Sequence, residues 1–312
     1  MNQFLHQPVL LNETINQLFW KENGIYIDCT LGAGGHSEAI LNRSSQSRII
    51  GIDQDREAIE AASNRLAPFG ERVLFVWDNF KNIDEILEKL QIPRVDGVLM
   101  DLGISSPQLD HGERGFSYQQ DAPLDMRMNQ GSGGLTAKDL VNNLSPEELT
   151  DIIFRYGEER WAKRIAEFIV TAREKQPLET TGELVSVIKM AIPKKVRENG
   201  HHPAKKTFQA LRIAVNDELN IIAPGMEAAA NHLNIGGRLA VISFHSLEDR
   251  IVKESLRYLS KDCICPPEQI VCNCKKERTI KILTKKPIIA PEDELAANPR
   301  ARSAKLRVGE RV

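Results

Sequence analysis

The sequence predicts an α/β fold in which a parallel sheet, covered by helices on both faces, is interrupted by a helical insert. Three observations carry this reading. From Gly24 to Asp101, short β-rich apolar runs alternate with helical stretches, the pattern of βαβ units. After Asp101 the rhythm breaks: residues 104–134 are rich in Gly, Ser, Pro and Asp, and residues 136–222 read as helix after helix. Gly236 to Phe244 then returns to a turn and a buried strand. The expected organisation is an α/β domain of residues 1–108 and 213–312 around an insert of residues 109–212, taken as a substrate-recognition domain.

Gly24 to Thr30 reads as the first strand, ending in a Gly-rich turn before a helix that begins over Ser37–Leu41. Arg48–Asp53 is the second strand, and Arg56–Leu66 a helix with Ile59, Ala62 and Leu66 on one face. Val73–Trp77 is the third strand, Ile83–Leu90 a helix, and Val95–Asp101 the fourth strand. Within the insert, Ser145-Pro146-Glu147-Glu148 combines a hydroxyl cap, a first-turn proline and a carboxylate at the third helical position, so a helix starts there. Thr180-Thr181-Gly182-Glu183 opens another. Phe208, Leu211, Val215, Leu219 and Ile222 predict one long helix.

Lys and Arg number 41 and Asp and Glu 43, a net charge of −2 that excludes a uniformly basic nucleic-acid coat protein but leaves room for local patches. No apolar run approaches the roughly 18–20 residues of a membrane span. Met1 to His6 lacks the basic-then-apolar layout of a signal peptide. Cys29 is isolated, and the other four cysteines crowd between Cys263 and Cys274, which is not a disulfide framework. These features predict a cytoplasmic enzyme with no membrane partner.

Asp28-x-Thr30-x-Gly32-Ala33-Gly34-Gly35-His36-Ser37 lies between the first strand and a helix, where glycines let the backbone approach a ligand closely. Asp53 ends the second strand about 20 residues further on, where a carboxylate can accept both ribose hydroxyls of an adenosine. Asp78-Asn79-Phe80 ends the third, with a polar group and an aromatic able to hold and cover an adenine. All three lie at strand C-termini, the binding edge of open α/β sheets. The ligand is NAD or S-adenosylmethionine. Ser37 stands where the dinucleotide fingerprint needs its third glycine, and Asp28 disfavours a pyrophosphate while suiting a sulfonium cation, so the methyl donor is preferred.

The chain resembles the MraW-type family of ribosomal RNA small-subunit cytosine-N4 methyltransferases. The resemblance runs from His6-x-Pro8-Val9-Leu10-Leu11-x-Glu13, through the Asp28–Ser37 block, Asp101-Leu102-Gly103-Ile104-Ser105-Ser106-Pro107-Gln108-Leu109-Asp110 and Thr207-Phe208-Gln209-Ala210-Leu211-Arg212, to Ser243-Phe244-His245-Ser246-Leu247-Glu248-Asp249-Arg250 and Asn298-Pro299-Arg300-Ala301-Arg302-Ser303. It implies a class I (Rossmann-like) methyltransferase fold with an inserted helical domain. It also implies that the donor is held by Gly34, Gly35, His36, Asp53, Phe80, Asp101 and Gln108. The implied target is the N4 amine of a cytidine in the decoding centre of 16S RNA within an assembled 30S particle. The readings left beside it are an NAD(P)-dependent oxidoreductase and a non-catalytic ribosome assembly factor.

A cytosine N4 amine is a poor nucleophile because its lone pair is delocalised into the ring, so transfer depends on positioning and on acceptors for its N–H groups. Asp101, the backbone of Ser105-Ser106-Pro107, or both are the candidates. His245 is either a proton acceptor or a structural residue beside a helix capped by Ser246, with Asp249 closing the box. Three basic clusters suit phosphate contacts: Lys189, Lys194, Lys195, Arg197, Lys205, Lys206 and Arg212; Lys275 to Lys286; and Arg300, Arg302, Lys305, Arg307 and Arg311. Phe116, Tyr118 and Trp161 are candidates to stack on an unstacked base or to serve as core. Cys263-x-Cys265 and Cys272-x-Cys274 form either a zinc site of structural role or a loop of reduced or labile cysteines.

Overall fold

The computed structural model describes residues 8–105, 108, 112–197, 202–269 and 271–312. They form two compact units, one from the chain up to Gly103 together with Leu219–Val312, the other from Ile104–Glu218.

The first unit opens with helix α1 (Leu11–Leu18), which the sequence reading did not anticipate. It continues β1 (Ile25–Asp28), α2 (Gly35–Arg43), β2 (Arg48–Asp53), α3 (Arg56–Leu66), β3 (Val73–Trp77), α4 (Ile83–Lys89) and β4 (Val95–Asp101). Its second half follows the helical unit below. The sheet order is β3-β2-β1-β4-β5-β7-β6. In it β5 is Leu233–Ser243, β6 Ile280–Ile282 and β7 Lys305–Arg311. The first five strands pair in parallel. β7 runs antiparallel to β5 and β6, so the expectation of a wholly parallel sheet holds only for β1–β5. This is the α/β architecture implied by the resemblance, and the order reverses between β1 and β4, the place where such sheets bind ligands.

Successive strand residues point to opposite faces, and both faces are packed. Ile27, Ile50, Val98, Met100 and Val241 enter one apolar cluster, while their neighbours Tyr26, Ile49, Leu99, Ala240 and Ile242 enter another. That is why these strands read as unbroken apolar runs instead of alternating ones. Such a sheet cannot slip register without transferring every side chain to the wrong core.

The second unit contains α5 (Ala137–Asn143), α6 (Pro146–Gly157), α7 (Ala162–Arg173), α8 (Thr181–Ala191), α9 (Lys194–Arg197) and α10 (Lys205–Asn216). Thr136, Ser145 and Thr180 each cap a helix in a reciprocal box with Asp139, Glu148 and Glu183. The unit has its own apolar core, including Leu149, Ile153, Ile165, Leu184 and Leu211.

The long helix expected across residues 208–222 is two helices, one in each unit. Asp217 adopts a left-handed conformation (φ 51°) and ends α10. A new helix, α11 (Ile222–His232), begins with Pro224 in its first turn, where a missing N–H costs nothing. The helical unit therefore runs on to Glu218 instead of stopping at 212, and starts at Ile104. Among the described residues no helix is long and apolar enough to cross a membrane.

After β5 comes α12 (Ser246–Leu259), and α13 (Glu292–Ala297) precedes β7. Asp249 on α12 accepts from Arg307 Nε at 2.7 Å and Lys305 Nζ at 3.0 Å on β7. Although burial works against its charge, these two cations hold the Asp249 carboxyl below the usual range. Arg307 itself is buried. We predict that Asp249→Ala, which strands that guanidinium, lowers unfolding free energy by about 3 kcal/mol. Urea denaturation checks this, and a midpoint equal to wild type would remove the pair from the account of stability.

Candidate active site

β1 ends in Asp28, 1% exposed. Its Oδ2 accepts from Ser37 Oγ at 2.8 Å and its Oδ1 from the Thr30 N–H at 3.3 Å. Burial pushes the carboxyl up to about 6, against the pull of these two donors. The chain then turns through Gly34, whose φ of 78° at the N-cap of α2 suits a residue without Cβ. At Gly35 an added Cβ would lie 2.3 Å from Pro8 Cγ, so only glycine lets the backbone pass.

β2 ends in Asp53. Its Oδ2 accepts from the Gly32 N–H at 2.8 Å and its Oδ1 from the Asp55 N–H at 2.9 Å. The carboxylate is thereby fixed against the Gly-rich turn, with a lone pair on each oxygen left for hydroxyl groups. Burial raises it to about 6, and the charges of Asp55 and Asp28 add to the rise.

After β3, Asp78 Oδ1 accepts from the Asn79 N–H and from Asn82 Nδ2. Asn79 Nδ2 donates to Gln54 Oε1 at 2.9 Å. Phe80 is buried in the sheet's apolar cluster, with its ring against Gly225, where a Cβ would lie 2.8 Å away. Its ring is thus chiefly a core element, and only its small exposed edge could cover a base.

β4 ends in Asp101, whose N–H donates to Thr30 Oγ1 at 2.6 Å. Asp101 Oδ2 lies 3.8 Å from His36 Nδ1, and His36 Nε2 lies 3.1 Å from the Val9 carbonyl. Asp101 Oδ1 is buried with no hydrogen-bond partner among the described residues. Burial, then the charges of Asp28 and Glu248, push this carboxyl well above the usual range.

His245 follows β5 and is itself the N-cap of α12, corrected from Ser246. Its Nδ1 accepts the Glu248 N–H at 3.4 Å. Glu248, not Asp249, closes the box: its Oε2 accepts from the N–H groups of Phe244 (2.7 Å) and His245 (3.3 Å). Glu248 Oε1 lies 3.1 Å from His245 Nε2. Sequence reasoning missed Glu248 because histidine is an unusual cap. The signal was there, in a glutamate three residues after it.

Asp28, Asp53 and Asp101 thus gather at the C-terminal edge of β1, β2 and β4, and among the described residues no Lys or Arg forms an ion pair with any of them. Such a cluster repels a pyrophosphate and is relieved by a cation. The edge is therefore acidic and suits a cationic ligand better than an anionic one.

Gln108 belongs to the helical unit. It is buried there, and its Oε1 accepts from the Ser105 N–H at 3.0 Å. Ser106, Pro107, Leu109 and Asp110 lie outside the described residues, as does His6. Of the stacking candidates, Phe116 is buried in the helical core, and Trp161 packs against it. Tyr118 stacks on His202 at 4.6 Å between ring centroids. All three are engaged within their own unit. Three residues of the basic clusters are likewise structural: Arg212 pairs with Glu218, and Lys305 and Arg307 with Asp249. Lys189, Lys194, Lys195 and Lys205 are exposed. The thiols of Cys263, Cys265, Cys272 and Cys274 converge, each sulfur within 4.8 Å of the others.

The model of the MraW methylase family matches residues 3–312. The chain belongs to that family. It is 54% identical over 311 residues to a ribosomal RNA small subunit methyltransferase H of Clostridioides difficile strain 630, covering 99% of this chain and 100% of that one. It is 55% identical to the protein of that name from Symbiobacterium thermophilum, over 97% of this chain and 96% of that one. Among solved structures it is similar to an rRNA methylase from Streptococcus thermophilus, with a TM-score of 0.42 at 11% identity, covering 97% and 93% of the two chains. The oxidoreductase alternative gains no support from these matches.

The acidic cluster predicts a pH signature. Protonating carboxylates near pH 6 removes the charge that favours a sulfonium, whereas the demethylated donor lacks that cation. Affinity for S-adenosylmethionine relative to S-adenosylhomocysteine is expected to rise about tenfold as pH rises from 5 to 7, the equivalent of one pKa unit. Calorimetry with both ligands tests it, and a ratio independent of pH would detach the cluster from sulfonium recognition.

Proposed function

We propose that this methylase transfers a methyl group from S-adenosylmethionine to the N4 amine of a cytidine in the decoding centre of small-subunit ribosomal RNA, acting on the assembled 30S particle. Family membership supports the reaction class. The observation that carries the mechanism is the buried Asp101 Oδ1 at the end of β4, which has no hydrogen-bond partner among the described residues.

When bound, the donor supplies a methyl group on a positively charged sulfur that becomes neutral as the methyl leaves. Asp28 and Asp53 would orient it, with Asp53 on the ribose hydroxyls; Gly34 and Gly35 would let the backbone close on it, and His36 and Phe80 would complete its setting. Asp101 accepts an N–H of the cytosine amine, localising the lone pair that attacks the methyl carbon. The raised proton affinity of Asp101 suits it to take the proton that N4 sheds once the new N–C bond has formed. His245 Nδ1 is committed to the cap of α12, while its buried Nε2, near Glu248 Oε1, has no hydrogen-bond partner among the described residues; we assign His245 a positioning role instead of proton acceptance. Zinc in the cysteine loop, the other expected cofactor, lies outside this chemistry.

The decisive experiment is methyl transfer from labelled donor to small subunits isolated from a deletion strain, with mass mapping of the modified cytidine. Asp101→Ala is expected to lower the rate at least about 10²-fold. Its melting temperature should match or exceed wild type, because a repelled buried carboxylate has been removed. Near-normal turnover in that variant would misplace the centre, and an inactive wild type with intact donor binding would favour an assembly factor.

The exposed lysines of the helical unit provide the phosphate contacts. Replacing Lys189, Lys194, Lys195 and Lys205 with Ala is expected to reduce the salt slope of subunit binding by about 2–3, at roughly 0.7 per single-strand phosphate contact. Donor affinity should not change. An unaltered slope would return these side chains to solvent.

A further inference from the structure

Residues 261–279 connect α12 to β6. The loop closes where Thr279 returns beside the end of α12, its N–H donating to the Leu259 carbonyl at 3.0 Å. None of its described residues is buried, and Ile264 and Val271 are 45% and 75% exposed. A segment that buries no apolar side chain gains little to offset the entropy of ordering it.

Its four thiols nevertheless come together. Sulfur separations are 3.5 Å for Cys263–Cys272 and Cys272–Cys274, 3.8 Å for Cys263–Cys274 and 3.9 Å for Cys265–Cys272. These are far longer than the ~2.05 Å of a covalent disulfide. They match the edge of about 3.8 Å that a tetrahedron of sulfurs has around zinc at ~2.3 Å. Cys-x-Cys spacing is unusual for a metal knuckle, since one intervening residue limits how two sulfurs of a pair converge. Here the close approaches are mostly between the pairs, across the turn at Pro266-Pro267. Two backbone amides also point at sulfur: Ile264 N–H at Cys274 Sγ (3.5 Å) and Cys265 N–H at Cys263 Sγ (3.4 Å), an arrangement that favours thiolates.

We propose that Cys263, Cys265, Cys272 and Cys274 bind one Zn²⁺ as a closed four-thiolate site that staples the loop between α12 and β6. With four protein ligands no coordination position is open, so the ion is structural and takes no part in methyl transfer. Each thiol gives up its proton as its sulfur–zinc bond forms, so binding strengthens with rising pH. The inference is independent of the methylation reading, because the loop and its sulfurs lie outside the acidic edge that carries it.

Elemental analysis of the full chain purified without chelator should find one zinc per chain, and Cys272→Ser/Cys274→Ser should lose it. Titrating Co²⁺ into zinc-stripped wild type should produce the visible bands and sulfur charge-transfer absorption of a tetrahedral thiolate site, which decides the matter even if the variant fails to fold. Removing zinc should speed proteolysis within 261–279 while S-adenosylmethionine affinity stays unchanged. Zinc near zero without a cobalt spectrum, or iron in its place, overturns the site. Zinc bound but proteolysis unaltered by its removal overturns the stapling role.

Discussion

The C-terminal edge of the sheet is governed by the burial of three carboxyls, to which like charges add at Asp53 and Asp101. Three aspartates end β1, β2 and β4, and none has a Lys or Arg ion pair among the described residues. Raising Asp28 from 3.8 to about 6 corresponds to about 3 kcal/mol of disfavoured ionisation at neutral pH. Its sign is destabilising: a carboxyl with a raised folded pKa costs stability above that pKa, and the cost shrinks as pH falls below about 6 and is gone near 3.8. A domain whose net stability is only about 5–15 kcal/mol would not be expected to carry such a cluster without a return in ligand binding.

That desolvation cost needs a scaffold that does not relax. Adjacent residues of β1, β2, β4 and β5 are locked into separate cores on the two faces of the sheet, so the strand ends are fixed in register. The carboxylates are fixed in turn by donors close in sequence or in register: Ser37 and Thr30 on Asp28, Gly32 and Asp55 on Asp53. Asp101 differs: its backbone N–H is tied to Thr30 and its Oδ2 faces His36 at 3.8 Å, but its Oδ1 has no hydrogen-bond partner among the described residues. An acceptor held by its backbone, with a free oxygen, can meet a substrate N–H without first breaking a bond of its own.

The other charged pairs behave oppositely. Asp249 gathers Arg307 and Lys305, and Arg212 gathers Glu218, so cations that looked available for RNA are consumed in holding the chain together. Charge counted along a sequence cannot distinguish these cases. A lysine on an exposed helix and an arginine on a buried antiparallel strand have the same formal charge but face different dielectrics and partners.

The sequence by itself determined the order of strands and helices from β1 to β4, the start of the capped helices, the Gly-rich turn and the aspartates at the strand ends. These signals are local: periodicity, caps and turn chemistry act within a few residues. It did not determine the antiparallel β7 or the split of the apolar series 208–222 into two helices. Nor did it fix which residue caps α12 or how the four thiols converge. Each of those depends on partners far away in the chain. β7 finds β5 only in the folded sheet, Asp217 ends α10 in a left-handed conformation that an unbroken apolar period hides, and the cysteine pairs meet across a turn. The sequence also supplied Asp101 as a residue. Only tertiary packing gave it a buried, unpartnered oxygen beside Asp28 and Glu248, because burial and like-charge proximity are properties of the assembled edge.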